Sequence, residues 1–243
     1  MATLKAPHDG YTVIMFSNGT AISSSLLKLP YDPIKDFVPV STMAAYLDEL
    51  LLTTPKGPLN SVADILAQAK KRQLIFGTVN PGSTQNLSAL LFKSTTGLNA
   101  TVVPFKTTSQ VIAALIRGDV DVAFETYAAV KGFIDAGKIR PIATSGTKRS
   151  SWLPKVPTVL ESGVHYDVTG WNAIFAPAGV PAEAVNVLNQ QLNAVLSLPE
   201  VRQRFQAVGI EARGSTPAAV EARLQSDTKK WAAVVKQAGI PQQ

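Results

Sequence analysis

The chain of 243 residues contains no cysteine and only two histidines, and these shortages remove several kinds of chemistry. Without cysteine there can be neither a disulfide nor a thiol nucleophile. His8 and His165 are far apart in the sequence, and neither lies in a motif with a candidate nucleophile. The pattern therefore indicates surface histidines rather than a metal site or a catalytic triad, and we expect neither a metal nor a cofactor.

Long apolar runs and clustered charge are also missing. No apolar run reaches the roughly 18 residues that a membrane helix needs, and no basic-then-apolar leader stands at the start, so we expect no membrane insertion. The net charge is +6, but the basic residues are scattered singly or in short groups without interleaved aromatic residues. Nucleic-acid binding is therefore not expected, whereas a basic field suits small anions. The 46% of hydrophobic residues indicates a globular protein.

The pattern of residues 102–126 predicts a strand–helix–strand unit, and the other predicted elements can be arranged around it. Val102-Val103 reads as a strand, Thr107 offers a hydroxyl N-cap for a helix, and Gly118 ends that helix. The largely apolar run Val120–Phe124 is typical of a strand buried on both faces of a parallel sheet. Because such crossovers are right-handed, the turns after both strands should emerge beside each other at the ligand-binding edge. The predicted binding residues there are Thr107, Glu125 and Thr126.

Two further polar turns are candidate anion sites. Ser17–Thr20 precedes a helix predicted from Ala21, and Gly77–Asn86 leads from the short strand Leu74–Phe76 into a helix predicted from Leu87. Main-chain N–H groups in such turns can point at an anion, although the first turn fits an ordinary capped turn equally well. The second lacks the Gly-Lys-Ser/Thr ending of a P-loop, but its glycines permit close backbone approach. The predicted binding residues in these turns are Ser17, Asn18, Thr20, Gly77, Thr78, Asn80, Ser83, Thr84 and Gln85.

Glu125 is the one carboxylate predicted at the binding edge, and three roles are open to it. It could act as a general base, it could pair with an ammonium or hydroxyl group of a ligand, or it could be an acidic residue at a helix N-terminus. Asp119 and Asp121 flank the turn before this strand and are most simply interpreted as solvated side chains, and no nucleophile or metal motif selects the first role.

The order of the predicted elements indicates two α/β lobes joined by two extended crossings. One crossing lies near Leu51 and the other runs through Trp171–Phe175. We therefore predict a two-lobed α/β binding protein of type II, the venus-flytrap class, with parallel-rich sheets and a cleft between the lobes. The first lobe is expected to contain residues 1–51 and 172–243, and the second residues 52–171.

Eight short segments carry a family resemblance, and they occur in family order through nearly all of the chain. They are Asp9–Thr12, Leu29–Pro33, Asp36–Val40, Val103–Lys106, Gly118–Asp121, Ala136–Arg140, Leu153–Thr158 and Phe175–Gly179. Each alone is weak, but the ordered set is specific. On these segments the chain resembles the Bug or TctC-like extracytoplasmic solute receptors of tripartite tricarboxylate transporters.

The resemblance implies a periplasmic protein that captures a small organic carboxylate and delivers it to a membrane permease, without catalysis. It also implies that the turns 17–20 and 77–85 and the turn after Phe124 contact the ligand. Many relatives have aspartate where this chain has Glu125, and glycine where it has Thr107, and the resemblance implies that both differences lie where ligand identity is decided. Two alternatives stay open, a hydrolase or lyase with Glu125 as base and a non-binding remnant. Relatives begin with a further strand, loop and helix, so we expect an N-terminally truncated first lobe.

Overall fold

The computed structural model describes residues 2–46, 49–207 and 209–242, which form two compact units. The first unit contains Met1–Tyr46 and Gly170–Gln243, and the second contains Leu47–Thr169. The predicted boundary between residues 51 and 52 is corrected, because it would divide a strand, Glu49–Thr53, whose described pairings are with strands of the second unit.

The described chain alternates strands and helices through most of its length. The strands are β1 (Ile14–Ser17), β2 (Phe37–Tyr46), β3 (Glu49–Thr53), β4 (Leu74–Val79), β5 (Ala100–Phe105), β6 (Val122–Thr126), β7 (Arg140–Thr144), β8 (Trp171–Pro177) and β9 (Ile210–Ala212). The α-helices are α1 (Asn18–Leu26), α2 (Val62–Ala69), α3 (Thr84–Thr96), α4 (Thr108–Arg117), α5 (Tyr127–Asp135), α6 (Ala182–Ser197), α7 (Pro199–Ala207) and α8 (Pro217–Gln237).

The first unit is built on a sheet with the strand order β1-β8-β2-β9. All the pairings recorded among its described strands are antiparallel, so the expectation of a parallel-rich sheet is wrong for this unit. An aromatic cluster fills part of its core, where the ring of Phe16 lies 4.8 Å from that of Phe37 and 4.7 Å from that of Phe175. Other apolar side chains of the sheet, with Val40 at their centre, pack against α6.

The second unit is built on a sheet with the order β5-β4-β6-β3-β7. Strands β5, β4 and β6 are parallel, and β3 runs antiparallel to both β6 and β7. Strand β4 therefore lies between the two strands that the sequence placed side by side. Apolar side chains of α4 and α5 pack on the sheet around Leu50 and Ala123, and aromatic rings of Phe76, Phe92 and Phe124 form a second cluster.

Side-chain caps explain where the helices begin, and they correct two predicted starts. The hydroxyl of Ser17 caps α1, which begins at Asn18 rather than at Ala21. The hydroxyl of Ser83 caps α3, which begins at Thr84 rather than at Leu87. The polar residues after each cap were read as turn, but they form the first turn of a helix.

Membrane-spanning helices and metal-binding clusters are both absent from the described residues. In the parts of the chain that the structure describes, no helix combines the length and the apolar character needed to cross a bilayer. The same ranges contain no group of three or more acidic or histidine side chains placed to hold a metal ion.

Candidate functional site

The carboxyl edge of the parallel strands β5, β4 and β6 is the candidate site. Each of these strands leads directly into a helix, so the first turns of α3, α4 and α5 lie along this edge. The chain passes from β4 outward to β5 and then back to β6 on the other side of β4, which makes the β4/β6 border a topological switch point. Open α/β sheets bind ligands at such a point, and helix N-termini favour anions.

The turn between β4 and α3 is held in place from both sides. The N–H of Asn80 donates to the carbonyl of Phe105 at 3.0 Å, which fastens the turn to the end of β5. The hydroxyl of Ser83 donates to the carbonyl of Val79 at 2.9 Å and accepts from the N–H of Asn86 at 3.1 Å. Asn80 is exposed, whereas the Ser83 hydroxyl is occupied by its capping role.

Behind this turn lies a buried pair that the sequence analysis did not interpret correctly. Thr78 is fully buried in β4, and its hydroxyl accepts from the side-chain amide of Asn86 at 3.1 Å. The side-chain carbonyl of Asn86 accepts from the N–H of Gly82 at 3.2 Å. Thr78 therefore supports the turn from below instead of facing a ligand, and Asn86, which was not predicted, is its partner. The signal for Asn86 was its position three residues after the capping Ser83.

Gly77 was predicted to admit close approach of an anion, and the structure corrects this. The residue lies inside β4, and a Cβ atom added to it would stand 2.9 Å from Cγ1 of Val120 and 3.2 Å from Cγ1 of Val111. The space that glycine leaves is thus filled by apolar side chains of α4 and the turn after it. Gly77 permits close packing of helix on sheet rather than ligand contact.

Glu125 is the central charged group of the edge. It is fully buried near the end of β6, and its Oε2 accepts from the side-chain amide of Gln85 at 3.3 Å. Its Oε1 is buried and has no hydrogen-bond partner. Burial raises the pKa of Glu125, and the neighbouring Thr108 hydroxyl, Gln85 amide and Thr126 N–H offset part of that rise. Thr108 was not among the predicted residues.

The remaining predicted residues of this unit occupy helix starts. Thr84 begins α3, and its carbonyl accepts from the hydroxyl of Ser88 at 2.6 Å. Thr107 is exposed and caps α4, accepting from the N–H of Gln110 at 3.3 Å. Thr126 precedes α5 but makes no side-chain capping bond, so the first-turn N–H groups of α5 lack a cap of the kind that α3 and α4 have.

Ser17, Asn18 and Thr20 belong to the first unit, at the junction of β1 and α1. Ser17 and Thr20 form a capping box, in which the Ser17 hydroxyl accepts from the N–H of Gly19 at 3.2 Å and the Thr20 hydroxyl accepts from the N–H of Ser17 at 3.3 Å. Asn18 is buried in the first turn of the helix. The alternative of an ordinary capped turn accounts for both hydroxyls.

Taken together, these features describe an α/β protein of two units with a candidate anion-binding edge in the second. The comparisons with known proteins identify its family. The family model described as TctC, "Tripartite tricarboxylate transporter family receptor", matches residues 1–240, and the chain belongs to this family. The resemblance found in the sequence and the predicted fold class are both confirmed.

Three relatives place the chain within the family. Protein BugT of Bordetella pertussis is 32% identical over 244 residues, which cover 98% of this chain and 74% of BugT. The structure of R. palustris Rpa4515 with adipate is 34% identical, with a TM-score of 0.77, and the match covers 100% of this chain and 82% of that one. MatC (Rpa3494) from Rhodopseudomonas palustris with bound malate is 27% identical, with a TM-score of 0.70 and coverage of 96% and 82%.

Family membership decides between receptor and enzyme. The chain is a receptor of a transport system and not an enzyme, as the family and the structural neighbours show. The alternative of a hydrolase or lyase with Glu125 as its base is therefore set aside. Of the three roles considered for Glu125, contact with a ligand and charge at a helix N-terminus are left.

Proposed function

We propose that this chain is a periplasmic solute-binding protein that captures a small organic carboxylate in a cleft between its two lobes and delivers it to the membrane permease of a tripartite tricarboxylate transporter. The family match supports the receptor role. Two family structures, with adipate and with malate, support a carboxylate as the ligand class. The observation that carries the proposal is the alignment of the first turns of α3, α4 and α5 along one sheet edge.

The first turn of α5 is the best candidate for the carboxylate contact. In α3 and α4 a first-turn N–H already donates to the capping hydroxyl of Ser83 or Thr107. Thr126 provides no such bond to α5, whose first-turn N–H groups can therefore donate to a ligand anion. Gln85 donates a hydrogen bond to Glu125, so its side-chain amide is a further candidate donor to the ligand near this turn.

We further propose that Ser17, Asn18 and Thr20 of the first lobe also contact the ligand. Support for this comes from their place at the N-terminus of α1, which has no acidic residue in its first turn. Because the capping box occupies both hydroxyls, main-chain N–H groups rather than the hydroxyls are the donors that we expect to be used.

A calorimetric screen of small acids tests the proposal. Adipate, malate, succinate, citrate and aromatic acids are titrated into the protein, and we expect at least one to bind with a dissociation constant in the micromolar range or tighter. Thermal stabilisation at saturating acid provides a second readout, since binding to the folded state alone raises the melting temperature. A screen in which no acid produces heat or stabilisation would count against ligand capture and favour the non-binding remnant.

A charge variant with a matched control tests the location. Gln85→Glu places a second carboxylate beside Glu125 and should weaken binding of the selected acid by at least about tenfold, because like charge opposes the anion. Gln68→Glu makes the same change at another half-buried helical position of the second unit, on α2. It should leave affinity within about twofold. Equal losses in both variants would contradict a site at the β4/β6 border.

A further inference from the structure

Glu125 presents an unusual combination of burial and incomplete bonding. The side chain is fully buried, yet one of its two oxygens, Oε1, has no hydrogen-bond partner. Buried polar atoms are almost always paired with protein, water or a ligand, so an exception at a candidate binding edge requires an explanation. The other oxygen, Oε2, accepts from the side-chain amide of Gln85.

The groups that favour the charged form of Glu125 are all neutral. They are the hydroxyl of Thr108, the side-chain amide of Gln85 and the N–H of Thr126, and their effect is smaller than that of burial. Strands β4 and β5 contain no titratable residue. On β3, Glu49 is paired in register with Thr126 and not with Glu125, so it projects from the opposite face of the sheet.

The charged residues of the surrounding helices stand away from Glu125. Those of α3 and α4 lie in the last turn, at the end of each helix remote from the edge, and those of α5 pair with each other. Tyr127 is packed in the apolar cluster under α5, and Lys106 is exposed in the turn before α4. Among the described residues, then, no ion pair provides Glu125 with a cation. The helix residues concerned are Lys93, Arg117, Lys131 and Asp135.

The hydrogen-bond pattern also assigns the position of a proton. Because Oε2 already accepts an N–H from Gln85, the proton of the neutral acid belongs on Oε1. Glu125 then presents an O–H donor whose neighbours in the protein, such as the Thr108 hydroxyl, are neutral. A ligand carboxylate oxygen supplies a charged and therefore stronger acceptor, whereas a ligand ammonium would require the ionised form that burial opposes.

We propose that Glu125 is a carboxylic acid in the ligand-bound receptor, that its Oε1–H donates a hydrogen bond to a carboxylate oxygen of the bound acid, and that binding takes up a proton wherever Glu125 of the free receptor is ionised. This inference rests on the proposed function and adds a residue that makes capture pH-dependent. The proton stays on Glu125, and no bond is made or broken in the ligand.

Calorimetry with adipate in buffers of different ionisation enthalpy tests the proposal. The titrations cover about pH 6.5 to 9, where adipate is fully ionised. Above the pKa of Glu125, affinity for adipate should fall by up to about tenfold per pH unit, and up to about one proton should be taken up per ligand bound. Glu125→Gln keeps an N–H donor but cannot ionise, so it should bind with a flat pH profile. Glu161→Gln, an exposed glutamate of the same unit, should retain the profile of the wild type.

Two outcomes would overturn the proposal. One is a wild-type affinity that does not change with pH and takes up no proton. The other is loss of binding in Glu125→Gln at every pH, which would mean that the ligand needs a carboxylate. If adipate does not bind, the same titrations use the acid selected by the calorimetric screen.

A readout without ligand separates this inference from the proposed function. Because the folded pKa of Glu125 is raised, the wild type loses stability as pH rises from the unfolded pKa through the folded one. Glu125→Gln lacks this loss, so its melting temperature relative to the wild type should increase with pH. A difference that stays constant would show that Glu125 is ionised throughout, even if acids bind. If every acid in the screen failed to bind, the melting temperatures without ligand would still test the pKa of Glu125. That failure would count only against the proposed function.

Discussion

Replacing Gly77 by alanine tests whether this residue serves packing or ligand approach. The added methyl group would stand 2.9 Å and 3.2 Å from the two γ-carbons of Val120 and 3.2 Å from Cγ1 of Val111. Distances below 3.0 Å require atoms to move, and both valines are buried. Overpacking of this kind costs about 1–3 kcal/mol, so we expect Gly77→Ala to lower the free energy of unfolding by that amount.

Urea denaturation of a double-mutant cycle measures the contact itself. Val120→Ala removes the methyl groups that meet the new Cβ, so the double variant should be more stable than the sum of the single effects predicts, by about 0.5–3 kcal/mol. Gly132→Ala is the matched control, because it lies in α5 with nothing within 4 Å of an added Cβ, and it should stabilise by about 0.5–1 kcal/mol. A Gly77→Ala variant with unchanged stability but weakened acid binding would refute the packing role.

Two further predictions concern the first unit. The buried carboxylate of Asp227 accepts from the indole N–H of Trp171 at 2.7 Å, and although burial acts to raise its pKa, adjacent cations hold that pKa below its usual range. The stability that Asp227 contributes is therefore present above its unfolded pKa and is lost as pH falls through its folded pKa. Asp227→Asn should lower the free energy of unfolding by about 1.5–3 kcal/mol near neutral pH and by less in acid. Thermal melts across pH measure this difference. Gly214→Ala would place a Cβ 1.7 Å from the side-chain oxygen of Asn193. It should lower the free energy of unfolding, measured by urea denaturation, by about 1–3 kcal/mol. An unchanged unfolding midpoint would contradict the contact.

Local signals in the sequence predicted helix ends and the end of strand β6 correctly in several places. Thr107 caps α4 and Gly118 ends it, with a φ of 84° that suits glycine. Glu125 lies at the carboxyl end of a parallel strand, as the crossover argument required. These features depend on a few neighbouring residues, so composition and spacing were sufficient to find them.

Features set by long-range pairing were missed. Strand β4 continues through Gly77 and Thr78 to Val79 because these residues pair with β5 up to Phe105, and no local signal shows where that pairing ends. The same limit explains why β4 was not placed between its neighbours and why the antiparallel sheet of the first unit was not foreseen. Asn86 reads as a surface residue of a polar turn until the fold buries it beside Thr78.

Apart from Gly77 and Thr78, the predicted ligand contacts of the two lobes stay predictions, because the family match identifies the receptor without assigning its residues. What supports those of the second unit is their shared position along one edge. The hydroxyl groups there are largely committed to capping, which shifts the expected contacts to main-chain N–H groups and to Glu125.

A crystal structure with the acid selected by calorimetry tests the central claim most directly. The account predicts a ligand carboxylate within hydrogen-bonding distance of the first-turn N–H groups of α5, with one of its oxygens about 2.5–2.7 Å from Oε1 of Glu125. An acid bound elsewhere, or one whose ammonium or hydroxyl group faces Glu125 while its carboxylate is held by other residues, would contradict it.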